Sequence, residues 1–231
     1  LCLFCACSSP QKNPIDYVDP FIGTGFHGHT YPGATTPFGA VQLSPDTRRG
    51  NWDASSGYHY SDSTILGFSH THLSGTGCQD LGDVLLRPTT QPVRLEGEGD
   101  IFLPAAFSHD SEKATPGYYA VTLAEEQIKV ELAASTFAGM HRYTYLNDKD
   151  ASVIVDLTHI LNTDDFIYEA ELKQTADNEI VGMRRTRSWV DNQYIYFVLQ
   201  FSKPIQEWQQ LNDKQGVAHF GQEREVLAKV G

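Results

Sequence analysis

Alternation of apolar and polar residues through most of residues 118–202 is the feature that most restricts the fold. "YYAVTL" (118–123) and "IKVEL" (128–132) put every second side chain on one face, and the short polar "AEEQ" between them reads as a hairpin connection. "FAGMHRYTYL" (137–146), "ASVIVDL" (151–157), "FIYEAELKQ" (166–174) and "EIVGMRRTRSWV" (179–190) continue the series, and "QYIYFVLQFS" (193–202) is densest in β-branched and aromatic residues. Turn signals such as "LNDKD" and "TADNE" separate the runs, and no segment carries a helical stripe of useful length. Short two-faced strands bury their apolar sides by stacking sheets, so the expected fold class is all-β, an antiparallel β-sandwich. At 231 residues the chain has room for one large domain with a well-buried core, or for two small ones.

Residues 14–100 have a different texture. They are rich in Gly, Pro, Thr, His and Asp, with only short apolar runs such as "AVQL" (40–43) and "DVLL" (83–86). Connections this long in a compact domain commonly carry function. Lys+Arg 17 against Asp+Glu 29 gives a net charge of −12, which repels phosphate backbones and argues against nucleic acid as a partner. The same charge is compatible with neutral sugars and with divalent cations.

"LCLFCACSSPQKNP" opens without Met, is apolar and Cys-rich, and turns polar at Ser8, as the tail of a bacterial signal peptide would. Cys7, after the small Ala6 and before "SSPQKN", is the expected lipidation cysteine of a lipoprotein. An ordinary secretory signal is the alternative. Either reading exports the protein, sets residues 1–13 apart from a domain spanning 14–231, and allows membrane contact only through a lipid anchor. The domain then keeps a single cysteine, Cys78, so disulfides do not hold it together.

"GFSHTHLSGTG" (67–77) places His70 and His72 two residues apart, on one side of an extended chain. Zinc or copper would need further ligands, and the spacings to His27, His29, His59 and Cys78 match no zinc pattern. Two readings stay open: imidazoles hydrogen-bonded at a strand end, or neutral imidazoles facing a polar cleft. In "NWDASSGYHY" (51–60), Trp52 beside Asp53 offers a flat apolar face and an acceptor for hydroxyls, although a core tryptophan would look the same. "GCQDLGD" (77–83) sets Asp80 and Asp83 among glycines; two carboxylates are too few for calcium, and a solvated turn is expected. "GTGFHG" (23–28) has neither a following helix nor a Lys-Ser/Thr pair, which excludes a nucleotide loop and leaves tight turns as the role of its glycines.

Four ordered blocks, "YVDPFIGTG" (17–25), "HTYPGATTPFGAVQLSPDT" (29–47), "SGYHYSD" (56–62) and "GFSHTHLSGTGCQDLGD" (67–83), together resemble the N-terminal domain of family 92 glycoside hydrolases. These are calcium-dependent, exo-acting α-mannosidases that trim N-glycans and related mannosides. The resemblance implies a large carbohydrate-enzyme sandwich with long Gly/Pro-rich loops, followed in the full enzyme by an α-helical toroid. It implies inverting hydrolysis, with two carboxyl groups roughly 6.5–9.5 Å apart around a water, and a Ca2+ ion that bridges mannose hydroxyls. Acid, base and the main calcium ligands would come from the helical domain, so no catalytic residue and no metal ligand is expected among these 231 residues.

On the same basis the partners are α-mannoside glycans and the protein's own C-terminal helical domain. "EREVLAKVG" (223–231) reads as a strand with no helical domain after it, so the sandwich is expected to be cut short at its C-terminal end. Trp52 and Asp53 are the expected sugar contacts, with His70, His72, Cys78 and Asp80 shaping the same rim. The expected location is periplasmic, or the outer membrane or cell surface of a bacterium. Two other readings compete: a self-contained, non-catalytic carbohydrate-binding sandwich, and an epimerase-like sandwich whose His and Glu move protons on free sugars.

Overall fold

The structure, a computed structural model, describes residues 12–95, 101 and 103–231. Two antiparallel sheets face each other across one apolar core. The seven-stranded sheet runs Ala34–Thr35, Gln42–Asp46, Gly67–Ser69, Leu85–Thr89, Ala151–Asp156, Gln215–Gly221 and Glu207–Asn212 from edge to edge. The eight-stranded sheet runs Phe166–Ala176, Glu179–Arg187, Gln193–Phe201, Glu225–Val230, Gly139–Tyr145, Ile128–Ala134, Tyr118–Leu123 and Lys113–Thr115. A two-stranded ribbon of Thr64–Ile65 and Ala105–Ala106 adds Ile65 and Ala105 to the same core. The described residues contain no α-helix, only short 3₁₀ turns, among them Trp52–Ala54. This is the expected antiparallel β-sandwich.

The period-two pattern explains the core. Ile128, Val130 and Leu132 all point inward, and across the ladder they meet Tyr145, Tyr143 and His141. From the other sheet, Leu43, Phe68, Leu86, Val153, Val155, Ala218 and Phe220 close the same cluster. Tyr145 joins the layers by a 2.8 Å hydrogen bond from its hydroxyl to the carbonyl of Ser152, and burial pushes this phenol well above its usual range. The strand Ala151–Asp156 is buried on both faces, because Ile154 enters a second small cluster with Val93 and Val217, against which Ile101, Leu103 and Leu211 pack. That double burial explains its unbroken apolar run.

Four connections (residues 47–63, 70–84, 157–165 and 188–192) leave the strands and converge on one cleft.

Candidate functional site

The floor beneath these connections is a set of buried charges. Asp46, at the end of its strand, is fully buried between two imidazoles. His72 Nε2 donates to its Oδ1 at 2.8 Å, and His159 Nε2 lies 2.9 Å from its Oδ2. Burial alone would raise this carboxyl, but the two histidines outweigh it and hold Asp46 below the usual carboxylate range. His72 also donates through Nδ1 to the carbonyl of Gln42 at 2.7 Å, so both of its ring nitrogens face acceptors. Gly57 makes the approach of residues 47–63 to this carboxylate feasible: its φ is +85°, and a Cβ there would stand 2.0 Å from Asp46 Oδ1.

Asp83 is the second anchor, and it is 0% exposed. Its Oδ2 accepts from Thr71 Oγ1 at 2.7 Å and from Gln193 Nε2 at 2.8 Å, while Oδ1 lies 3.3 Å from Arg184 Nε. Arg184 in turn donates to the carbonyl of His159 at 2.6 Å. One carboxylate therefore ties the Gly-rich segment 70–84 to the strands Glu179–Arg187 and Gln193–Phe201 and, through Arg184, to the loop 157–165. The expectation of a solvated turn at Asp80 and Asp83 is corrected: both are buried, Asp83 against Arg184, a cation distant in sequence, and Asp80 against the amide of Leu81.

Above this floor lies a cleft of about 840 Å³. It is lined by Trp52, by Gly77, Cys78 and Gln79, by Asn162, Asp164, Asp165, Phe166 and Tyr168, and by Arg187, Ser188 and Trp189. Trp52 enters through its 3₁₀ turn, capped by Asn51 Oδ1, which accepts from the amide of Asp53 at 3.0 Å. The indole packs edge-on against the ring of His29, with centroids 4.2 Å apart, yet remains 56% exposed. Two polar atoms at the cleft, Gln79 Nε2 and Asp165 Oδ1, are shielded from solvent and have no hydrogen-bond partner. Burial, reinforced by the nearby charge of Asp80 and opposed by Ser188, pushes the Asp165 carboxyl up to about 6.

Of the residues singled out from sequence, Trp52 and Cys78 line this cleft. Asp53 adjoins Trp52 but is engaged by His27 Nδ1 in a short, partly exposed pair. Asp80 lies behind the wall, its Oδ1 accepting from the amide of Leu81 at 2.7 Å. His70 and His72 lie beneath the rim and not on it. They are 4% and 3% exposed, with every ring nitrogen engaged inside the protein, so they can support a rim but cannot touch a ligand. Cys7 lies outside the described residues. Gln79, Asp165, Phe166 and Trp189 were not anticipated. The signals that could have found them are the Asn/Asp cluster in "LNTDDF" and a tryptophan set in the polar stretch "RSWVDN".

Aromatic walls, an oxygen- and nitrogen-rich rim and shielded polar atoms in want of partners give this sandwich the chemistry of a carbohydrate-handling domain. Residues 17–230 match the glycosyl hydrolase family 92 N-terminal domain, and the chain belongs to that family. The structure of the family GH92 α-mannosidase BT3965 from Bacteroides thetaiotaomicron, in complex with mannoimidazole, is 35% identical with a TM-score of 0.85, covering 94% of this chain and 32% of that one. The GH92 family glycosyl hydrolase ccman5 is 27% identical with a TM-score of 0.78, covering 94% of this chain and 32% of that one. An uncharacterized secreted glycosidase from Arthroderma benhamiae is 31% identical over 169 residues, 65% of this chain and 20% of that protein. The chain thus spans about a third of the length of these solved relatives and a fifth of the curated one.

Proposed function

We propose that this chain is the sugar-facing N-terminal domain of an exported, inverting, calcium-dependent exo-α-mannosidase that trims N-glycans or related α-mannosides. The observation that carries the reading is the cleft itself. A mannopyranose presents an apolar C–H face and an edge of hydroxyls, and Trp52 supplies a half-exposed flat surface for the first. Gln79, Asn162 and Asp165 line the same cleft and offer amide and carboxyl groups to the second. The likeness to a GH92 α-mannosidase at 35% identity supports the substrate class, and the secreted relative supports export.

In this reading the catalytic acid and base come from a C-terminal helical domain that closes the other side of the cleft. Asp165 is a carboxyl in a cleft with a raised pKa, but inversion needs a second carboxylate across a water, about 6.5–9.5 Å away. Asp80, its charged neighbour, is buried behind the wall and holds the amide of Leu81. In this reading the main Ca2+ ligands come from the helical domain as well. Cys7 as a lipid anchor remains part of the proposal.

The test is to assay the full-length protein on α-mannosyl fluoride and α-mannobiose, with calcium and with chelator, alongside residues 1–231 alone. Calcium-dependent hydrolysis by the full-length protein, releasing β-mannose first, and none by the shorter chain is the expected result. Sugar binding without hydrolysis by the full-length protein would favour the non-catalytic carbohydrate-binding reading instead.

A further inference from the structure

The three tryptophans of the chain are used in two different ways. Trp208 is structural: its Nε1 donates to Gln210 Oε1 at 2.6 Å, and its ring covers Gly216 so closely that a Cβ there would stand 2.3 Å from it. Trp52 and Trp189 line the same cleft, 56% and 68% exposed, and neither indole N–H has a partner among the described residues. A ring as large as Trp189 left in water on a turn forgoes its burial energy, and the fold does not require it there.

The turn is held by other groups. Arg187 pairs with Asp191 at 3.7 Å across it. At its base, Arg185 Nη2 donates to Asn192 Oδ1 at 2.6 Å, and the guanidinium lies over the rings of Tyr168 and Tyr194 at 4.8 and 5.3 Å. Gln193, at the turn's far end, is fastened to the buried Asp83. Trp189 is therefore an exposed ring on a braced support, with no packing duty of its own.

We infer that Trp189 is a second sugar platform, taking the residue on the leaving-group side of the terminal mannose while Trp52 faces that mannose. The inference rests on the mannosidase reading and names what makes the site prefer an oligosaccharide. At about 840 Å³ the cleft lies in the upper part of the ~300–1,000 Å³ range that holds drug-sized ligands, which leaves room for more than one pyranose. Arg187, Ser188 and Asn162 line the same cleft and carry donors and acceptors suited to the second sugar's hydroxyls. Trp189 acts on binding alone and touches no reacting atom.

The experiment compares the full-length enzyme with its Trp189→Ala and Trp189→Phe variants on two substrates. One is α-mannosyl fluoride, which has no sugar on the leaving side; the other is an α-mannotriose. The expected result for Trp189→Ala is a KM for the trisaccharide raised about tenfold, the scale of truncating one aromatic contact, with kcat nearly unchanged and the fluoride kinetics unmoved. Trp189→Phe restores most of the loss. Equal changes on both substrates would mean a structural role, and no change on either would mean no role; both overturn the inference. A wild-type enzyme that hydrolyses neither substrate removes the mannosidase reading and this inference with it.

Discussion

The imidazoles of His70 and His141 meet nitrogen to nitrogen inside the sandwich, Nε2 to Nε2 at 3.0 Å. Their surroundings fix the proton positions. His70 Nδ1 donates to the carbonyl of Val84 at 2.7 Å, which leaves its Nε2 as acceptor; His141 Nε2 then donates to it, and His141 Nδ1 accepts from the hydroxyl of Tyr143 at 2.9 Å. Each ring is satisfied only when neutral. A further proton on His70 would set two N–H groups against each other in a buried site, and one on His141 would set Nδ1–H against the hydroxyl of Tyr143.

Acid should therefore weaken this fold well above the carboxylate range. Burial pushes both imidazoles down, His70 to about 4 and His141 well below its usual value. An unfolded histidine titrates near 6.5, so below that pH the unfolded state takes up protons that the folded rings refuse. The stabilisation is complete above about pH 6.5 and is lost as pH falls toward 4, with His70 alone contributing about 3 kcal/mol. Urea midpoints at pH 7 and pH 4.5 check this; equal midpoints would contradict it.

Asp46 works in a lower window. Its carboxyl is held below the usual carboxylate range by His72 and His159, so its contribution is present above about pH 4 and fades only in stronger acid. Asp46→Asn at pH 7 leaves two buried imidazoles facing a neutral amide. A loss of about 2 kcal/mol is expected by chemical denaturation, the scale of leaving buried hydrogen-bonding groups without a partner. An unchanged unfolding free energy would show that the carboxylate does not hold the two rings.

Asp165 has the opposite sign. Its folded carboxyl is raised to about 6, so ionising it opposes folding: its stabilisation is present below about pH 4 and is lost as pH rises through 6. Asp165→Asn should raise the melting temperature at pH 7.5 and leave it nearly unchanged at pH 4, while weakening sugar binding by the full-length enzyme. Such an exchange of stability for binding is what a functional position shows. A variant destabilised at both pH values would assign Asp165 to the fold instead.

The strands of the second half were legible because each buries one face and wets the other, as Ile128, Val130 and Leu132 do between exposed neighbours. The strands of the first third were harder to see. Pro45 and Pro88 stand inside Gln42–Asp46 and Leu85–Thr89, where prolines ordinarily argue against a strand, and both strands are buried nearly throughout, which removes the alternation. Trp52 was readable as a candidate site residue from its carboxylate neighbour, and it lines the cleft. Trp189 was absorbed into the run 179–190, yet the strand ends at Arg187 and leaves the ring in the turn. The buried state of His70, His72 and Asp83 depends on His141, Asp46, His159 and Arg184, and no local pattern announces partners so remote in sequence.

A crystal structure of the full-length protein with mannoimidazole shows whether the cleft beside Trp52 is a wall of the mannose site. The inhibitor ring is expected in van der Waals contact with the Trp52 indole, with a hydrogen bond to the segment Cys78–Gln79 or from a ring hydroxyl to Asp165. A well-ordered inhibitor bound elsewhere, touching no atom of this cleft, would contradict it.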